Sequence, residues 1–407
     1  MAEQASMARA SGPPDVAAIP AFIDLAGAAR WRKRMDALAG AVRSGRLAGR
    51  AVAQRHAIEF SLDRLRPGRN QPLSAAGRVL TILATDAVQL ADSLTATGRQ
   101  RLRQRLAEAL RGQASLVPLF HLLRTARLQR SRGFLVHQAA LADAAGFDLL
   151  LDRGGLEAEL VCDVISAEEG REVHRGAWFR LVDRIDPELQ NWLAAHPGRY
   201  ILKMTLPQGL REEADGAGQL AALHARISAL LQQQRRADHD EAAVLRLDPL
   251  LLVAAQADEL GLVSRLRQEF GPEAHLAVSS AGGGVFVMAA RAGRENEIAA
   301  AVRRRMAALA PTRLTGTRPG ILAMFIDDTD RVEWRNLRDR LELEGEARQF
   351  LTFPEARSVV AVTCASRLEL FGAPIPDAAP DGEMRFRNPA HPAAKAAALA
   401  PAVLSSF

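Results

Sequence analysis

Asp148, Glu157, Glu159 and Asp163 crowd into one stretch, FDLLLDRGGLEAELVCDVIS, residues 147–166. Pairing FDLLL with LEAEL through the turn DRGG sets Leu151 opposite Leu156 and brings Asp148 directly opposite Glu159. Residues opposed in this way across an antiparallel pair hold their Cβ atoms about 4.5–5.5 Å apart on one face. Alternation gathers Glu157, Glu159, Val161 and Asp163 on that face and leaves Leu156, Ala158, Leu160, Cys162 and Val164 on the other. Like charges facing each other cost stability unless a cation joins them. Two such carboxylates form a hard-oxygen pocket of the kind that holds Mg²⁺ together with waters and substrate phosphates. An ion there activates water and neutralises charge on a phosphate undergoing displacement. The competing account is an edge hairpin with one solvated acidic face, which alternation alone also produces.

The neighbouring elements must position these acids. LVPLFHLLRTARLQR (116–130) has the apolar spacing of a helix, Gly133 stops it, and FLVHQAA, FDLLLD and LEAELVCDVI follow as short strands. Ser166 with Glu169 three residues later has the form of a capping box opening the next helix, whose stripe is Val173, Ala177, Trp178, Leu181, Val182 and Ile185. Asp186-Pro187 marks a second helix start, and RYILKMTL is a strand after HPG. The predicted order is helix, strand, Asp-bearing strand, Glu-bearing strand, helix, strand.

That order, with Asp148 and Glu159 on its second and third strands, resembles the core of the PD-(D/E)XK, or restriction-endonuclease-like, nuclease superfamily. The resemblance covers about Leu116 to Leu206. It implies an α/β fold with an αβββαβ core, a metal-binding role for Asp148 and Glu159 with Glu157 or Asp163 assisting, Mg²⁺ as cofactor, and cleavage of DNA phosphodiester bonds. The family places Glu-x-Lys on the third strand, with the lysine orienting or activating the attacking water. No frame here supplies it: Val161 follows Glu159, Glu159 follows Glu157, and the frame ending at Asp163 begins at Val161. The resemblance therefore leaves two outcomes open. One is a relocated lysine, for which Lys203 in ILKMTL is the candidate, on a strand expected to run parallel beside the Glu-bearing strand. The other is a non-catalytic nuclease-like fold that binds nucleic acid or protein.

Lys203 stands out because the chain has three lysines, Lys33, Lys203 and Lys395, among 53 basic residues. Arginine is the compositional habit of the chain and by itself marks no site. Arg171 and Arg175, one turn apart after the acidic strand, are the candidates for backbone phosphate, with a solvated helix face as the alternative. His121, His137 and His174 share no ligand-like spacing. Asp327, Asp328 and Asp330 end a strand and suit the N-cap of a helix expected over 331–350. A single Tyr200 and four tryptophans offer no evident base-stacking platform.

The whole chain of 407 residues divides on this reading into a disordered tail at 1–30, a helical region at 31–112, the αβββαβ core at 113–236, a further α/β region at 237–372 and a Pro/Ala-rich tail at 373–407. The net charge of +6 suits an anionic partner such as DNA. No apolar run is long enough to span a bilayer, the start lacks the layout of a signal peptide, and a cytoplasmic protein is expected. Cys162 and Cys364 sit in separate apolar runs and predict buried thiols instead of a disulfide or zinc site. A homo-oligomer is left open.

Overall fold

The computed structural model describes residues 18–65, 73–211, 217–250, 265–267, 269–271 and 274–406. The chain forms two compact units, neither continuous in sequence: Met1–Ala39, Arg55–Ala167 and Ala299–Phe407 make the first, Gly40–Gln54 and Glu168–Ile298 the second. The serial division expected from composition is replaced by a long insertion. Within the second unit, the Glu297 N–H donates to the Gly170 carbonyl at 2.7 Å, so that segment leaves and returns at one place.

The first unit is built on a six-stranded sheet. Its early strands are β1 (Leu135–His137), β2 (Leu149–Arg153) and β3 (Leu156–Ser166). The second unit supplies β4 (Arg199–Leu206), β5 (Ala237–His239), β6 (Val244–Pro249), β7 (His275–Ala281) and β8 (Gly284–Ala292). The chain then adds β9 (Gly320–Asp327), β10 (Val359–Ser366) and β11 (Met384–Arg387) to the first sheet. The strand orders are β1-β2-β3-β9-β10-β11 and β5-β6-β4-β8-β7. β9 is parallel to both β3 and β10. Every residue of β9 and of β10 is buried, as expected for parallel strands covered on both faces.

The β2–β3 hairpin differs from its predicted register. Arg153 pairs with Leu156, so the turn is Gly154-Gly155 alone, both with positive φ (61° and 78°). Two consecutive positive-φ residues define the I′ turn, whose twist matches that of the strands it joins. The shorter turn slides the pairing by two residues, placing Glu159 opposite Leu150 and Glu157 opposite Asp152. A slip of two preserves which face each side chain occupies. Leu149, Leu151, Ala158 and Leu160 accordingly enter the core with Phe22, Leu83, Phe120 and Ile321.

Helices Ala57–Arg64, Ala75–Ser93, Ala96–Ala109 and Val117–Ser131 pack on that core; Ser74 and Thr95 cap the second and third through the N–H groups of Gly77 and Gly98. The expected tail from residue 373 instead holds β11, and Leu399, Ala402 and Val403 are buried in the same core. The expected helix over 331–350 is two, Arg331–Asp339 and Glu342–Phe350, separated at Leu341 with φ 61°. Asp330 caps the first through the Glu333 N–H, as the Asp-rich run predicted.

In the second unit, the helix expected from Ser166 begins only at Arg175 and runs unbroken through Pro187 to Ala195. Ala167–Gly170 forms a single 3₁₀ turn, and the Glu168 carboxylate accepts the Arg175 N–H. Trp178, Leu181, Ile185 and Leu189 of this helix pack with Leu202 and Met204 of β4 and with Phe286 of β8. In the sequence AVLRLDPLLLVAA reads as one strand and 258–270 as a helix; the strand beyond residue 250 and most of that helix fall outside the described residues.

Candidate functional site

β3 carries the acids on the face away from the main core. The middle of that face is covered, Glu159 being 0% exposed and Val161 1%, whereas the Glu157 side chain at its end is 43% exposed. The covering segment is the helix Ile298–Arg313 and the loop after it, which lead directly into β9. This segment meets the carboxylates with arginines. Arg305 makes a two-point contact with Asp163, its Nε and Nη2 at 2.6 and 3.1 Å from the two oxygens. The Arg318 Nε donates to Glu157 at 2.7 Å and its Nη1 to Glu159 at 3.4 Å. Glu157 first, then Glu159, hold that guanidinium above its ordinary pKa. Thr315 closes Glu159 further, its backbone N–H 2.8 Å from one oxygen and its hydroxyl donating to the other.

Asp148 stands one residue before β2. Its own N–H donates to the Leu160 carbonyl, and one carboxylate oxygen accepts the Cys162 N–H at 3.0 Å. The side chain thus continues the ladder of β3 where β2 has ended. Arg313 donates to the same oxygen at 3.0 Å, and Arg105 donates to the other at 3.3 Å. Continuing the hairpin register one step brings Val161, not Glu159, abreast of Asp148.

The carboxylates are already engaged. Both oxygens of Asp148, of Glu159 and of Asp163 already accept hydrogen bonds, and a guanidinium stands beside each carboxylate. Mg²⁺ would have to displace a cation before it could bind, and the positive charge left behind would oppose it. Among the described residues no group of three or more His, Cys, Asp or Glu side chains is arranged to hold a metal.

Lys203 is not a neighbour of β3. It lies on β4 in the second unit's sheet, where β4 is parallel to β8 and antiparallel to β6. Its ammonium is 3.5 Å from Asp248 and 5.6 Å from the centre of the Phe270 ring. The parallel neighbour of the Glu-bearing strand is β9. Arg171, expected to face phosphate, is buried at 3% exposure and paired with Glu168. Arg175 is half-buried beside it and opens the long helix.

His121 and His137 each have a partner. His121 is buried with Nε2 2.9 Å from the Ala323 carbonyl, and burial pushes it down to about 4. His137 pairs with Asp143 on the surface. Burial first, then the Asp148 charge, raise the Cys162 thiol well above its ordinary value, which favours the thiol over the thiolate. At the carboxyl ends of β3 and β9, Asp327 is held by Arg367, and Asp328 accepts the Ser166 hydroxyl at 2.7 Å. Arg105, Arg305, Arg313, Thr315 and Arg318 were not singled out by sequence. In so arginine-rich a chain only their spatial alignment with the acids distinguishes them. Comparison with protein-family models, with curated proteins and with solved structures finds no match.

Proposed function

We propose that this chain is a non-catalytic nucleic-acid-binding protein built on a scaffold like that of the restriction endonucleases. One observation carries the non-catalytic part: the carboxylates that would hold Mg²⁺ are neutralised by guanidinium groups from the segment 305–318 and from Arg105. An acid already paired with a guanidinium gains less from an added metal, which must displace that cation or meet its charge.

Support for the scaffold comes from element order. Helix Val117–Ser131, β1, β2, β3, helix Ile298–Arg313 and β9 run in the sequence helix, three strands, helix, parallel strand, with the insertion between β3 and that last helix. In this frame the positions abreast of and beyond Asp148 on β3 are Val161 and Asp163, a valine and an acid where the family has Glu and Lys. Arg305 supplies a cation there, but it is engaged with Asp163. The net charge of +6 favours a polyanionic partner.

The deciding experiment is calorimetric titration of Mg²⁺ and Mn²⁺ into wild type and Asp148→Ala, with plasmid and branched-DNA cleavage and gel-shift binding run in parallel. The expected result is no metal heat, no cleavage, and binding that weakens with salt and is indifferent to chelator. Metal binding lost in Asp148→Ala, together with metal-dependent cleavage, would replace this reading with that of an active nuclease.

A further inference from the structure

The chain is poor in aromatic residues, with one tyrosine and four tryptophans. The second unit brings the tyrosine and one tryptophan together. Trp31, Trp178 and Trp334 are fully buried, whereas Trp192, near the end of the helix Arg175–Ala195, is half-buried. The His196 ring stacks on Trp192 at 4.7 Å between centroids and 19° between planes. Tyr200, at the start of β4, meets Trp192 edge-on at 4.8 Å. Phe286 supports both from the core.

The patch is held in place at its polar atoms. The Trp192 Nε1–H donates to the Leu231 carbonyl at 3.1 Å. His196 Nδ1 donates to the Trp192 carbonyl at 3.0 Å, and its Nε2 lies 3.1 Å from the Gln234 amide nitrogen, which donates to it. The rings are therefore preset, and a ligand would not have to order them. Tyr200 leans over Gly198, where a Cβ would come within 2.8 Å of the phenol oxygen. Half-buried in this way, the phenol presents a polar tip at the edge of an apolar surface. Arg235 and Arg236, which follow Gln234 directly, are exposed, Arg235 with Asp238 3.7 Å away, and Arg199 beside Tyr200 is exposed too.

We propose that Trp192, His196 and Tyr200 form a stacking site for a base of single-stranded nucleic acid, with Arg235 and Arg236 taking the adjoining phosphates. The proposal rests on the nucleic-acid reading above and names where a strand is held. Flat preset rings beside exposed cations are what such a strand requires: every base has a π-face to stack, and the backbone follows positive charge. A duplex, whose bases are already stacked on one another, would not use it.

The test is titration of the full chain with an oligothymidylate of about ten nucleotides. Tryptophan emission is followed in parallel with anisotropy of a labelled strand. Because the other three tryptophans are buried, quenching on binding reports on Trp192. Quenching that tracks the anisotropy is expected, with affinity about five- to a hundred-fold weaker in His196→Ala and Tyr200→Ala. The melting temperature of each variant is recorded, and wild-type quenching decides alone if a variant does not fold. Strand binding without quenching, or binding of duplex only, overturns the stacking site and leaves the nucleic-acid reading standing. Binding of neither form overturns both.

Discussion

Thr315 grips Glu159 with two donors at once, its backbone N–H at 2.8 Å from one carboxylate oxygen and its hydroxyl on the other. Glu159 is fully buried on β3, and Thr315 lies in the loop between the covering helix and β9. The acid therefore fastens a loop to a strand, which is a structural task. A carboxylate used this way is held by two donors of one residue and by a guanidinium.

Thr315→Ala removes the hydroxyl donor and keeps the backbone one. A hydrogen bond to a charged group contributes about 1.5–3 kcal/mol, so the urea midpoint should fall by that equivalent. Glu159→Ala should cost more than Thr315→Ala, because it removes the acceptor of both Thr315 donors, while Arg318 keeps Glu157. If Glu159→Ala melts like wild type, the carboxylate is not the fastener described.

The hairpin turn offers an independent check on register. Gly155 has φ 78° and a Cβ built there would meet no atom within 4 Å, so only backbone strain opposes a side chain. Gly155→Ala should destabilise by about 1–2 kcal/mol, and Gly155→Asn by clearly less. Equal losses for Ala and Asn in chemical denaturation would argue against a two-residue turn and return the register to the longer loop.

Stability should also depend on pH through two buried histidines. Burial pushes His121 down to about 4, and burial, followed by the charges of Arg175 and Arg171, pushes His275 down to about 3. Both lie below the unfolded value of about 6.5. The unfolded chain therefore binds protons that the folded chain refuses. Their contribution is complete above about pH 6.5 and is lost as pH falls from there towards the folded values. Urea midpoints should drop between about pH 7 and about pH 5, and His121→Gln should make that drop shallower. Identical slopes for the two proteins would show that His121 does not carry the effect.

The acids' shared face was legible in the residues because alternation along LEAELVCDVI is local. Their register was not, because DRGG can turn over four residues or two, and only the I′ conformation at Gly154 and Gly155 selects two. The capping Asp330 was legible for the same local reason that the helix from Ser166 was misplaced. An N-cap pattern states a possibility for the backbone, and the Ser166 hydroxyl is instead directed to Asp328, distant in sequence. Composition masked β11, since a Pro/Ala-rich segment gives little sign that MRFR will pair with β10.

The sequence by itself determined the apolar alternation of β2 and β3, the helical character of the described residues within 31–112 and the presence of an acidic row. These follow from side-chain periodicity and chain stiffness, which act over a few residues. Tertiary structure alone decided that β9 and not β4 lies beside β3, that Lys203 belongs to another sheet, and that arginines 305, 313 and 318 stand over the acids. Those outcomes depend on which distant strand completes the sheet, a choice made by burying whole apolar faces. An arginine's role follows from the carboxylate it meets across the fold, and the spacing of neighbouring residues does not encode that meeting.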